Sequence, residues 1–309
     1  MPDPATPATM DMETLSKIGD LDLIARTVVH GMGVGIHTGL LSGTSAEFKQ
    51  YRPYSQGDDI RWIDWRAYGR SDRLYVKEYQ EESNLRAMIL LDCSASMDYG
   101  TLGWTKFAYA RILAAALCLI LQHQHDRVGL LNYHHQVIDH IPPKSGPRQS
   151  RLIWSALHNV KPAGHTDPGP TLSLLGEILP ARGMAILISD LLHPLDAVLR
   201  QLRSLRARRH DVMVLSIADP AEIGFTFTRP VTLVDMEHNS EVKVIPEDAR
   251  DAYLENRRRH FEAIRQSCLE SEMTLTEIST ETPLPQVLRA VMQHRLHLVR
   301  TSSRRGGGG

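Results

Sequence analysis

The run LLDCSASMDYG, Leu90–Gly100, ends a continuous apolar segment on an aspartate and then sets two serines at alternate positions. Read back to Arg86, RAMILLD has the length and composition of a strand buried on both faces, the kind found in parallel sheets. Its exit through Asp92, Ser94 and Ser96 places three oxygen-bearing side chains two residues apart. Such a pattern suits a local turn, the start of an active site, or part of a metal-binding loop. The segments around it decide among the three.

From Leu85 onward, strand-like runs alternate with helical patterns, the signature of an α/β sheet with mostly parallel strands. RAMILLD is followed by a helix over about 106–123. RVGLLNY and QVIDHIPP, separated by His134 and His135, read as a hairpin with an antiparallel edge strand. A helix over about 149–160 precedes the loop KPAGHTDPGP, and TLSLLGEIL gives another helix. MAILISD and DVMVLSIAD are further buried strands flanking the helix in PLDAVLRQLRSLRAR. VTLVDMEHNSEVKVIP reads as an inserted hairpin turning near Asn239 and Ser240. A long helix over about 248–272, the strand TLTEIST and a last helix in PLPQVLRAVMQHRL complete the pattern. The expected fold is α/β, a doubly wound, mostly parallel, Rossmann-type sheet with an N-terminal satellite of short strands and an inserted β-hairpin.

The chain divides into a disordered arm (1–12), a helix and short-strand segment packed on the core (13–84), the α/β domain (85–298) and a flexible tail (299–309). Within 13–84, a helix over 13–30 is expected before a glycine-rich stretch and a block mixing aromatics with both signs of charge. A formal net charge of −1 among 309 residues, 42% of them hydrophobic and 23% charged, gives no global pull toward nucleic acid or anionic membrane. Cys93, Cys118 and Cys268 are widely spaced and odd in number, which fits free thiols in a reducing compartment. The opening MPDPATPATMDMETL lacks the basic start and apolar core of a signal peptide, so a cytoplasmic protein is expected. FAYARILAAALCLILQHQ is the most apolar stretch. It carries Arg111 and falls short of the roughly 20 apolar residues of a membrane span, so it reads as a core helix with no direct membrane span.

In a doubly wound sheet, ligands bind beyond the carboxyl ends of the strands where the strand order reverses. Asp92 and Asp190 both end buried runs, and they meet in one crevice if their strands are neighbours. The loop AGHTDPG adds Thr166, with Asp167 as a less favoured alternative. Two carboxylates and three hydroxyls suit a hard divalent cation: Mg2+, with Mn2+ or Ca2+ as substitutes. Alternate positions of an extended loop face one way, so Asp92, Ser94 and Ser96 converge while Cys93 and Ala95 point elsewhere. Neutral hydroxyls add no further charge, leaving the ion electrophilic toward an incoming carboxylate.

Other chemistries fit less well. His123, His125, His134 and His135 match no zinc-binding helical pattern and have no cysteine pair beside them. GMGVGIHTG lacks the third glycine of a dinucleotide loop, and no P-loop occurs. A haloacid dehalogenase-like phosphatase needs a second acid two residues after its nucleophile, where this chain has Ser94, and no GxSxG elbow surrounds Ser94 or Ser96. The basic stretches RSLRARRH and NRRRHF read as solvated helix faces, so no nucleic acid partner is expected. A metal-dependent phosphoester hydrolase using the same cluster is the alternative function, although it has no identifiable nucleophile or general base.

DCSAS (92–96), the threonine of GHTD and the aspartate of LISD resemble, in order and spacing, the three parts of the metal-ion-dependent adhesion site of von Willebrand factor A domains. The resemblance implies that Ser94, Ser96 and Thr166 are direct or near-direct ligands, that Asp92 and Asp190 act directly or through water, and that a partner's acidic residue takes the open position. Upstream, YRPYSQGDDIRWIDWRAYGRSDRLYVKEYQEE, with Arg52, Tyr54, Gly57, Asp58, Arg61, Asp64, Trp65 and Arg70, is similar to the hallmark of the domain of unknown function 58 (DUF58) family. Its members join this segment to a von Willebrand A-like domain, and the resemblance runs over about 21–296. Many relatives carry membrane helices near the N-terminus that this sequence lacks. The family's association with MoxR-type AAA+ ATPases implies a non-enzymatic adaptor or co-chaperone whose partner is such an ATPase, a client protein, or both.

Overall fold

The computed structural model describes residue 12 and residues 20–32, 46–55, 63–71, 73–81, 85–179, 182–193, 195–238 and 240–305. In chain order the elements are α1 (Leu21–Gly31), β1 (Ala46–Pro53), α2 (Trp65–Ser71), β2 (Tyr75–Glu81), β3 (Arg86–Asp92), α3 (Lys106–His123), β4 (Arg127–Tyr133), β5 (Val137–Lys144), α4 (Pro147–Asn159) and α5 (Pro168–Ile178). They continue with β6 (Met184–Ser189), α6 (Leu195–Ala207), β7 (Asp211–Ala218), α7 (Pro220–Gly224), β8 (Val231–Val234), β9 (Glu241–Val244), α8 (Pro246–Glu270), β10 (Thr274–Ser279) and α9 (Leu284–Arg305).

Six strands form one sheet in the order β10-β7-β6-β3-β4-β5, parallel throughout except for β5, which runs antiparallel to β4 as the edge hairpin. Because side chains alternate across a strand, β3 serves two cores at once. Ala87, Ile89 and Leu91 join a cluster with α1, α3, α4 and α9, while Met88 and Leu90 join a second with α5, α6 and α8. An apolar residue at every position from Ala87 to Leu91 is what such a two-faced strand requires. The chain steps from β3 outward to β4, then crosses back to place β6 on the other side of β3, so the strand order reverses at the β3–β6 seam.

α3 lies in the first core. Thr105 caps it, its hydroxyl accepting from the Ala108 N–H at 3.2 Å. By length and hydropathy α3 qualifies to cross a membrane, contrary to the sequence estimate, and 78% of it is buried inside the fold.

Two boundaries differ from expectation. Met12, placed in the disordered arm, is buried in the first core. α9 continues to Arg305, through the expected start of the tail at 299. Its apolar stripe of Leu284, Val287, Leu288, Val291 and Met292 anchors the helix, and each further residue then adds a hydrogen bond without a new nucleation cost. The inserted hairpin turns between Val234 and Glu241, which pair, with the Asp235 N–H donating to the Ser240 carbonyl at 2.8 Å across the turn, in the region expected. Asp235 organises it, its Oδ1 accepting from the N–H groups of Glu237 at 2.8 Å and His238 at 3.1 Å. Asn239, most of the arm and most of the glycine-rich stretch lie outside the described residues.

The N-terminal segment behaves as two pieces. α1, capped by Asp20, packs Leu21, Ile24, Ala25 and Val28 into the first core. β1 and β2 form a separate antiparallel ladder that Ile63 joins by a bridge to Val76. Ile63 and Val76 are buried, yet they belong to neither of the two core clusters.

Candidate metal centre

The β3–β6 register aligns Leu91 with Ile188, so both chains leave the sheet side by side, at Asp92 and at Ser189–Asp190. Asp92 is fully buried, with Oδ1 accepting from the Ser94 N–H at 2.9 Å and Oδ2 from the Ser189 hydroxyl at 2.7 Å. Burial, followed by the neighbouring Asp190 charge, pushes its carboxyl up to about 7. Beyond it the chain enters a 3-10 turn, Ala95–Asp98, with the Ser94 and Ser96 hydroxyls 3.1 Å apart. Ser96 also bonds to Asp190.

Asp190 is 2% exposed and holds the Leu192 N–H at 3.2 Å. Burial alone would raise its carboxyl; the ammonium of Lys106 outweighs that and holds it below the ordinary carboxylate range. Leu191, between them in sequence, sits in the left-handed region at φ 58°, its N–H on the Ser189 hydroxyl and its carbonyl against the His260 ring at 2.7 Å. A leucine held there stores strain, a feature that clusters at functional sites.

Lys106 was not among the expected site residues. It is the first residue of α3, the helix end where a cation is least welcome, and it is fully buried. Its Nζ lies 2.8 Å from Asp190 and 2.6 Å from Glu222. Burial pulls its ammonium down, but the two carboxylates more than offset this and leave it above its usual value. Glu222 completes a capping box with Asp219 at the start of α7. Asp219 is a third strand-ending aspartate, after β7, and it also takes the Thr101 N–H and hydroxyl at 2.8 and 2.6 Å. DVMVLSIAD carried the same signal as the two aspartates chosen from sequence.

The Thr166 loop is tied to the Asp92 loop by two backbone bonds of 2.9 Å, Ala163 N–H to the Cys93 carbonyl and Ala95 N–H to the Gly164 carbonyl. Gly164 has φ +69°, which glycine adopts without cost. Asp167, the less favoured alternative, caps α5 by accepting from the Gly169 N–H at 3.0 Å. Thr166 instead donates its N–H and hydroxyl to the two oxygens of Glu237, at 3.1 and 2.9 Å. Ser96, Thr166 and Glu237 face a cavity of about 600 Å3 between the sheet end and the inserted hairpin, and Asp92, Ser94 and Asp190 are buried behind it. His134, His135 and His165 stack in series beside this loop, with centroids 4.3 and 4.6 Å apart.

The donor set fits a hard cation. It is all oxygen, and each carboxylate oxygen of Asp92 keeps a lone pair beyond its present bond. Burial has concentrated more carboxylate than Lys106 neutralises, and a raised Asp92 carboxyl is what a cation binding beside it would lower again. Among the described residues no group of three or more His, Cys, Asp or Glu is placed to hold a metal.

Fold and crevice together define an α/β protein with an open crevice at the switch point of its sheet. The chain belongs to the family described as protein of unknown function DUF58, whose model matches residues 50–263. It is 28% identical over 230 residues, 74% of this chain and 72% of the relative, to the uncharacterized protein Rv1480 of Mycobacterium tuberculosis. Among solved structures it is similar to the conserved hypothetical protein BatB of Bacteroides thetaiotaomicron, at 13% identity and a TM-score of 0.48, covering 70% of this chain and 99% of that one. An aerotolerance-related membrane protein of Bacteroides fragilis gives 13% identity and a TM-score of 0.47, covering 68% of this chain and 99% of the other.

Proposed function

We propose that the protein is a Mg2+-dependent protein-interaction module that captures an acidic residue of a partner. One observation carries this reading: hydroxyls and carboxylates from two separated segments meet at the β3–β6 seam, with Ser94 and Ser96 in contact and Ser96 bonded to Asp190, and the loop that carries Thr166 is tied to the first of them by backbone bonds. Asp92, Ser94, Ser96, Thr166 and Asp190 are the residues that would hold the ion. Mg2+ would supply a compact positive charge with an affinity for carboxylate oxygen.

This chain's own residues do the rest. Ser189 and the Ser94 N–H fix the Asp92 carboxylate. Lys106 fixes Asp190. The Thr166 loop presents an N–H and a hydroxyl that already hold a carboxylate, that of Glu237. The family resemblance favours a MoxR-type AAA+ ATPase, or a client it remodels, as the source of the acid, and hence an adaptor or co-chaperone role.

The test is a calorimetric and thermal-melt titration of Mg2+, with Mn2+ and Ca2+ alongside, into the wild type and Asp92→Ala, followed by capture of a purified MoxR-type ATPase. Saturable uptake and Mg2+-dependent capture by the wild type alone are expected. Identical behaviour of the two proteins defeats the reading.

A further inference from the structure

The hydrogen bonds to Glu237 say more about what the site accepts, on the understanding that the Mg2+-dependent reading holds. Thr166 gives both its donors to one carboxylate, an oxygen apiece. That carboxylate comes from the turn of a two-stranded hairpin whose strands pair only with each other among the described residues. Asp235 preorganises the turn around the Glu237 and His238 N–H groups, so Glu237 is aimed at Thr166. The hairpin otherwise leans over the cavity, which Leu233 and Val234 help to line, while Val242 is more than half exposed. Glu237 therefore already occupies the Thr166 donors that an incoming acid would use.

The rest of the cavity is apolar in character. Leu192, Phe225, Phe227, Leu233 and Tyr253 line it beside Ser96 and Thr166. Phe225 and Tyr253 pack with centroids 4.9 Å apart, Phe227 lies edge-on to Phe225, and Leu192 is half exposed at the mouth. A volume of about 600 Å3 lined mainly by apolar side chains, with polar groups among them, is the form of a site for a bulky apolar group carrying one polar anchor. We propose that the partner's recognised element is an acidic residue next to a large apolar side chain, the acid replacing Glu237 at Thr166 and the apolar group entering the cavity. Glu237 is an internal competitor held at high effective concentration by its short hairpin, and it sets a threshold that a lone carboxylate does not pass.

The experiment uses the full chain in Mg2+ with two probes, acetyl-Phe-Glu-amide and acetyl-Ala-Glu-amide, binding followed by calorimetry and by the Thr166 amide resonance. Glu237→Gln, which keeps the side-chain shape, and Glu237→Ala, which removes it, should both bind acetyl-Phe-Glu-amide about tenfold or more tightly than the wild type does. Both variants should prefer it to acetyl-Ala-Glu-amide. Equal affinity of variants and wild type, no binding by the variants, or no preference for the phenylalanine probe overturns the proposal. If the wild type takes up Mg2+ and any of these results appears, this proposal falls alone; if the wild type takes up no Mg2+, the metal reading falls with it.

Discussion

The Lys106 ammonium lies 2.8 Å from the Asp190 carboxylate, and neither side chain is more than 2% exposed. A buried charge pair is strong evidence of constraint at that spot but weak evidence of net stabilisation, because desolvation cancels much of the attraction. Its informative property is the cost of breaking it.

Lys106→Met leaves buried Asp190 and half-buried Glu222 without their cation. The expected loss is about 3–5 kcal/mol in chelator, read by urea denaturation. Mg2+ should restore a larger share of stability in the variant than it adds to the wild type, since Asp190 is then free to meet the ion. Equal Mg2+ gains in both proteins would separate Asp190 from the metal.

Asp92 gives a pH signature. Its folded carboxyl is raised to about 7, above the unfolded value near 4, so the folded state binds the extra proton between those values. Stability from this group is fully present below about pH 4, is lost progressively as pH rises, and is gone above about pH 7, a span on the order of 3–4 kcal/mol. Compared with Asp92→Asn in chelator, the wild type should lose stability over that window, and saturating Mg2+ should abolish the difference in slope. A wild-type slope matching that of the asparagine variant would contradict the assignment.

Gly164→Ala places a Cβ on a backbone with φ +69°. The left-handed conformation costs an L-residue about 1–2 kcal/mol. Because the Gly164 carbonyl ties the Thr166 loop to Ala95, the variant should also bind Mg2+ more weakly, by calorimetry, than its small loss in melting temperature suggests.

Asp219→Ala removes the cap of α7 and the partner of Thr101. The expected loss is about 1–2 kcal/mol, and Asp219→Asn, which still accepts at the cap, should recover most of it. Thermal unfolding of the two variants compares them directly.

Much of this arrangement was legible because it depends on local pattern. An apolar run closing on Asp92, a second closing on Asp190 and a loop carrying Thr166 needed only strand periodicity and the switch-point rule. Lys106, Ser189, Glu222 and Glu237 were not legible in the same way, since each acts across a long sequence separation. Lys106 reads as an unremarkable helix start, and nothing near it announces Asp190, 84 positions away. The turn region of the hairpin was legible from turn propensity, whereas the backbone bonds by which Asp235 organises it are visible only in three dimensions.

The β3–β6 seam joins strands that the chain visits far apart, with α3, β4, β5, α4 and α5 between them. The crossover linking its two halves runs through all of these elements, so they meet only after long-range closure, the slow kind of contact in folding. An ion gripped by Asp92 on one side and Asp190 on the other would act as a clasp across it. Withdrawing the ion would then be felt in hydrogen exchange along the whole length of both strands, with the sheet parting in the middle while its edges hold.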